Sequence, residues 1–234
     1  MRMDFYSTIK WCETISEREL LKIEHIEKYM KEVIWGLNSL DLNIGYALLS
    51  LKDTSYPSGH SGKASTKTKL ERKFSLADIH YWYHISNTWE SIYRIWERIV
   101  NLLKARFTPN LLKKFYFDGY SNFIHDEKVI FEKEARGLKK FNKAWNKIAS
   151  TRNKISHGEF NPFIFDSLNL TDPSIDGNGA FTAIASYSFP NLKEEIQTAI
   201  NYAEKTVELI YFTVKICELH IGARKNITNA SYSP

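Results

Sequence analysis

Apolar residues recur at steps of three and four along most of the chain, which is the spacing of one face of an α-helix. The clearest case is a stripe of seven large side chains: Trp82, Ile85, Trp89, Ile92, Trp96, Ile99 and Leu103. Ser75 precedes the stripe as a candidate N-cap. Three tryptophans could form a ligand box, but the spacing alone accounts for them as core residues. The pattern predicts one long helix over residues 76–106.

The N-terminal region has its own helix start signal. Ser16 is followed three residues later by Glu19, which is the spacing of a capping box. Apolar positions at helical spacing follow, and they predict helix over residues 17–51. We expect a kink near Gly36 or Gly45, because glycine weakens the interior of a helix.

The second half of the chain predicts two more long helices. Residues 107–126 read as a short helix and a loop. Helical structure over residues 127–157 follows; it breaks or bends at Gly137, and the next helix covers residues 138–157. Asn191 is the N-cap of the last helix, which is predicted over residues 191–221. These elements predict an all-α fold, an up-and-down bundle of four to five long helices with added N-terminal helices.

Two segments and the C-terminal tail break the helical pattern. Residues 52–74 are rich in Ser, Thr, Gly and Lys, which predicts a flexible, solvated surface loop. Residues 158–190 predict a long irregular excursion before the last helix, with a short strand in the sequence FTAIASYSF (181–189). The polar tail, 224–234, is predicted to fray. The length favours one domain over residues 1–234.

The composition is that of a soluble globular protein, with 43% hydrophobic and 25% charged residues. A net charge of +5 permits an anionic partner such as RNA. Cys12 and Cys217 lack the spacing of a zinc site, and they are expected to be buried thiols in a reducing cytoplasm. His80 and His84 permit a metal pair, but no third ligand is evident and packing is preferred. No apolar run approaches the length of a membrane span, so no membrane partner is expected.

The stretch TRNKISHGEF (151–160) carries the candidate chemistry. Continuing the apolar steps from Ile148 leads to Arg152 and then to Ile155, so an arginine lies on the inward stripe. Arginine is almost never fully buried without a partner. It needs a carboxylate inside the bundle, for which Glu90 and Glu97 are candidates, or an interface that an anion can reach.

Asn153 and His157 are four residues apart and therefore share a helical face beside Arg152. Gly158 follows where a helix would end, and the negative helix C-terminus favours a protonated histidine. The three side chains are predicted to converge at one helix end. A purely structural interpretation stays open, in which His157 and Gly158 only terminate the helix and Arg152 pairs internally with Glu90 or another acid.

The sequence RNKISH, from Arg152 to His157, resembles the Rx4-6H motif of the HEPN superfamily, in which a polar residue, often Asn, follows the arginine. The architecture of residues 76–221 is similar too, since HEPN domains are helical bundles with this motif before one last long helix. The resemblance implies a HEPN-like fold and a metal-independent endoribonuclease, often in toxin–antitoxin systems or antiviral phage defence. It also implies a homodimer with two facing motifs. Arg152 and His157 would be the catalytic pair, and Asn153 would support or orient them. Glu90, as a carboxylate that could pair with Arg152, is a second supporting candidate.

The residue types suit this chemistry. RNA carries its own nucleophile, the 2′-hydroxyl, while histidine can exchange a proton near neutral pH and arginine binds phosphate oxygens. The expected products are a 2′,3′-cyclic phosphate and a 5′-hydroxyl, with no cofactor or metal. Some HEPN proteins are non-catalytic modules that bind RNA, a nucleotide or a protein. The resemblance also implies an antitoxin or nucleotidyltransferase partner, although Glu159 stands where transferase-modified toxins carry tyrosine.

Overall fold

The protein is a helical bundle, which confirms the predicted all-α class. The computed structural model describes residues 5–16, 24–55, 61–65, 75–157, 169–175, 181–188 and 191–230. Within them the helices are α1 (Phe5–Ser16), α2 (Glu24–Ser50), α3 (Leu76–Phe107), α4 (Phe117–Asp126), α5 (Glu132–Lys139), α6 (Asn142–Ser156) and α7 (Leu192–Ala230). None of these helices has the length and apolar character needed to cross a membrane.

Helix α3 is the centre of the bundle and packs against α2, α4, α6 and α7. All seven members of its predicted apolar stripe are buried. Ser75 is the N-cap, as predicted: its hydroxyl accepts a hydrogen bond from the Asp78 backbone N–H at 3.1 Å. The Asp78 carboxylate in turn accepts from the Ser75 backbone N–H at 2.7 Å. This reciprocal box satisfies two backbone donors that the helix itself leaves open.

Helix α2 continues through both glycines that were expected to kink it. Gly36 lies where α2 meets α3, and a Cβ added there would come within 2.7 Å of Ile95 Cγ1. Glycine at this position therefore allows two helices to approach closely. The predicted start of this helix lies outside the described residues together with Glu19, and Ser16 is the last residue of α1, a helix that the sequence analysis did not predict.

The region predicted as helical over residues 127–157 contains two helices, α5 and α6, and the break lies at Lys140 and Phe141 rather than at Gly137. Gly137 stays inside α5, where an added Cβ would overlap the Phe212 ring of α7. Helix α7 begins at the predicted N-cap, and Asn191 Oδ1 accepts from the Lys193 backbone N–H at 3.1 Å. It continues to Ala230, so most of the tail that was predicted to fray is helical.

A small antiparallel sheet accompanies the bundle. It consists of β1 (Ser61–Ser65), β2 (Asn169–Ile175) and β3 (Phe181–Ser188), in the order β1-β3-β2. Strand β3 coincides with the strand predicted in FTAIASYSF. Strands β1 and β2 lie in the segments that were predicted as a flexible loop and an irregular excursion, so those two predictions are wrong where the strands pair.

Candidate functional site

Arg152 occupies the inward stripe of α6, as its spacing predicted. Ile148, one turn earlier, is fully buried, and Ile155, one turn later, packs partly against the core. The Arg152 side chain is 34% exposed, and its Nε lies 3.3 Å from Glu90 Oε2 on α3. Of the two acids that the sequence offered, Glu90 is therefore the partner. A pair at this exposure contributes at most about 1 kcal/mol to folding.

The Glu90 carboxylate joins two arginines. Its second oxygen, Oε1, accepts from Arg94 Nε at 2.8 Å, one helical turn further along α3. One carboxylate thus faces two guanidinium groups. Among the described residues, neither Arg152 Nη group makes a hydrogen bond. These two groups are the ones with which arginine forms a fork on phosphate.

Two stacked aromatic rings lie under the Arg152 guanidinium. The Arg152 guanidinium carbon is 5.0 Å from the centroid of the Tyr93 ring, a cation–π distance. The Tyr93 ring stacks on buried Trp145 with centroids 5.1 Å apart. Burial, with the Glu97 carboxylate nearby, raises the pKa of Tyr93 to about 12, while Arg152 acts in the opposite direction. Tyr93 therefore remains neutral, and the guanidinium rests on a fixed surface.

Asn153 and His157 lie at the same helix end, but both are exposed. His157 is the C-cap of α6, and its backbone N–H donates to the Asn153 carbonyl at 2.9 Å. Five helical positions correspond to a rotation of about 140° and a rise of about 7.5 Å. Arg152 therefore leans onto α3, and His157 leaves the same helix in another direction. Gly158 and Glu159 lie outside the described residues.

Two residues of this cluster, Tyr93 and Arg94, were not predicted from the sequence. A signal was present, because they follow Glu90 by three and four positions and so must share its face of α3. Glu97, the acid that does not pair with Arg152, lies beside Tyr93 instead.

Other candidate chemistry is weak in the part of the chain that the structure describes. Cys12 and Cys217 are buried free thiols, and burial raises the pKa of each to about 12, so neither forms a reactive thiolate readily. No group of three potential metal ligands occurs among the described residues. His84 is held by Asn43 and by the ring of Tyr46, which confirms packing for this histidine.

Comparison with known proteins yields no match: no protein-family model, no curated protein and no solved structure is significantly similar to this chain. The function is therefore inferred from the residues and their geometry.

Proposed function

We propose that this chain is a metal-independent endoribonuclease of the HEPN type, with Arg152 and His157 as its catalytic residues. One observation carries the proposal. A partly exposed arginine is fixed through its Nε by Glu90 and from below by Tyr93, while both Nη groups have no acceptor among the described residues. A guanidinium held in this way is oriented in advance for an anion, so little ordering is needed when phosphate binds.

Arg152 is assigned to the phosphate. Its charge persists at any physiological pH, and its two Nη groups suit two oxygens of one phosphate. Glu90 supports it by fixing the orientation of the guanidinium, and Arg94 binds the other oxygen of the same carboxylate. Negative charge that develops on the phosphate oxygens during cleavage would meet donors that are already in place.

His157 is assigned to proton transfer, with Asn153 beside it on the exposed face. The 2′-hydroxyl oxygen attacks the adjacent phosphorus while an imidazole nitrogen accepts its proton. The bond from phosphorus to the 5′-oxygen breaks, and the leaving oxygen receives a proton from an imidazolium. The products are a 2′,3′-cyclic phosphate and a 5′-hydroxyl, so atoms and charge balance without a cofactor.

The two residues leave α6 in different directions, which has a consequence for assembly. One copy of the chain does not present Arg152 and His157 side by side, whereas two copies can bring the missing group to each phosphate. We therefore include a homodimer in the proposal. A cytoplasmic role in a toxin–antitoxin system or in phage defence, with an antitoxin as a further partner, follows from the HEPN resemblance.

A second candidate is a non-catalytic module of the same type that binds RNA, a nucleotide or a protein. The pairing of Arg152 with Glu90 favours it, because an arginine already neutralised by a carboxylate attracts a phosphate less strongly. The exposure of His157 favours it too, since no side chain among the described residues holds the imidazole in a reactive orientation.

RNA cleavage in excess EDTA separates the two candidates. Arg152→Ala and His157→Ala should each lower the cleavage rate by at least about 100-fold, which is the usual contribution of one such group. Arg136→Ala and His125→Ala are matched controls: one removes an exposed arginine from a helical ion pair, and the other removes a histidine from a helix end. Both should cleave like the native chain.

The result can contradict the proposal in two ways. RNA binding without cleavage, with binding lost in Arg152→Ala, would establish the binding module. Cleavage that survives in both Arg152→Ala and His157→Ala would assign the activity to another site or to a contaminant.

A further inference from the structure

An uncharged, exposed face lies where the C-terminal half of α2 meets the N-terminal half of α3. It is formed by five large side chains that are each between 51% and 68% exposed: Leu42, Tyr46, Leu49, Leu76 and Tyr83. We call this set the α2–α3 face. Residues 42–51 and 79–89 contain no Asp, Glu, Lys or Arg, in a chain with 25% charged residues. A surface helix normally carries charge on its outward side.

Contacts through His84 join the two tyrosines of this face. On α2, positions 42, 46 and 49 follow each other at helical steps, and Tyr46 lies at the seam with α3. His84 of α3 connects the two helices: its Nδ1 lies 3.0 Å from Asn43 Oδ1, and the Tyr46 ring stacks on its ring with centroids 5.0 Å apart. The Tyr83 ring meets the same imidazole edge-on at 5.1 Å.

These contacts hold the exposed rings in place. An aromatic side chain that is already oriented loses little conformational entropy on binding, which is why tyrosine is enriched at the centres of protein interfaces. Burial and the neighbouring His80 lower the pKa of His84, so the histidine beneath the face is neutral at physiological pH. The surface is thus apolar, partly rigid and without formal charge.

The area fits an interface between proteins. The five side chains together expose on the order of 600 Å², the upper end for a patch on a monomer. A face of this size lies at the lower end of a standard interface, which buries about 600–1,000 Å² per partner.

The chemistry of the face also restricts its partner. A nucleic acid requires cations to neutralise its phosphates, and a surface that binds anionic lipid requires them as well. A second copy of the chain brings the same uncharged surface, and a twofold contact places like against like. We propose that the α2–α3 face binds the same face of a second copy. This inference adds a defined surface to the homodimer of the proposed function.

Sedimentation of the purified full chain at micromolar concentration tests the inference. The native chain should have twice the monomer mass of 27.3 kDa. Leu42→Glu and Tyr83→Glu should each give monomers at the same concentration, because two like charges would be buried at the contact. Leu112→Glu is the matched control, since Leu112 is 95% exposed and lies between α3 and α4. It should remain a dimer.

Three results would overturn the inference: a native chain that is monomeric, two face variants that remain dimeric, or a control that dissociates with them. Far-UV circular dichroism checks that the variants keep their helices. Mass is measured without RNA, so the test is independent of cleavage. A monomer that cleaves RNA would contradict the α2–α3 contact alone, and a dimer that neither binds nor cleaves RNA would contradict the proposed function alone.

Discussion

Two glycines in the same helix should respond oppositely to one added methyl group. At Gly36, a Cβ would lie 2.7 Å from Cγ1 and 3.3 Å from Cδ1 of Ile95, a fully buried side chain. At Gly45, an added Cβ would have no neighbouring atom within 4 Å. Gly36→Ala and Gly45→Ala therefore share the effect on helix propensity and differ only in packing.

The magnitudes follow from this difference. Alanine in place of glycine inside a helix stabilises by about 0.5–1 kcal/mol, and Gly45→Ala should gain that amount. Gly36→Ala has the same gain, but it must displace a β-branched side chain with a stiff χ1 angle. Overpacking of this kind costs about 1–3 kcal/mol. We expect Gly36→Ala to be the less stable variant by about 1–3 kcal/mol.

Urea unfolding, followed by far-UV circular dichroism, measures both free energies, and the background variant Ile95→Ala isolates the contact. In that background, Gly36→Ala should become stabilising, because the atoms it would meet are gone. Equal stabilisation by Gly36→Ala and Gly45→Ala in the native background would refute the close approach of α2 and α3. A loss that persists with Ile95→Ala would refute the assignment of the clash to Ile95.

Three further predictions concern charged and titrating groups. Because the pKa of His84 is lowered in the fold, the unfolded chain binds more protons below about pH 6.5, and the free energy of unfolding should fall from pH 7 towards pH 5.5. Urea unfolding at both pH values should show this fall to be smaller in His84→Gln; an unchanged fall contradicts the assignment. Glu90→Gln removes the charge beside Arg152, so RNA should bind more tightly and with a steeper salt dependence in a filter-binding titration; weaker binding would count against the phosphate role. Asp78→Ala strands the backbone N–H groups of Ser55 and Ser75, which should cost about 2–3 kcal/mol in the same unfolding assay, whereas a loss below about 0.5 kcal/mol would contradict the capping role.

The long helices were predictable because their signal is local and repeated. The apolar stripe on α3 has seven members, so its helical spacing would remain recognisable after any single substitution. The sheet was harder to predict, because strand β1 has the sequence SGKAS and pairs with residues 119 to 127 positions away, from Ser65 with Ile184 to Ser61 with Ser188. Small residues with no alternation give no strand signal, and the partner strand alone determines the pairing. The close approach at Gly36 was not predicted for a related reason, since the sequence around a glycine does not reveal which side chain faces it.

The candidate site was predictable to the level of one helix. Spacing placed Arg152 on the inward stripe and named two acids that could pair with it. It did not choose between Glu90 and Glu97, because that choice depends on Tyr93, which lies beside Glu97 and beneath the guanidinium. Spacing alone did not determine whether His157 converges with Arg152, since the direction of the side chain around a helix changes by about 100° from one residue to the next.

Helix α3 is 32 residues long and continuous. It carries Tyr83 of the α2–α3 face and, one heptad later, Glu90, which fixes Arg152. A rigid helix sets the separation of these two positions at about 10 Å along its axis. In a twofold assembly through that face, the distance between the Arg152 side chains of the two copies would be fixed. That distance would determine which pairs of phosphates along one RNA strand can be bound at the same time.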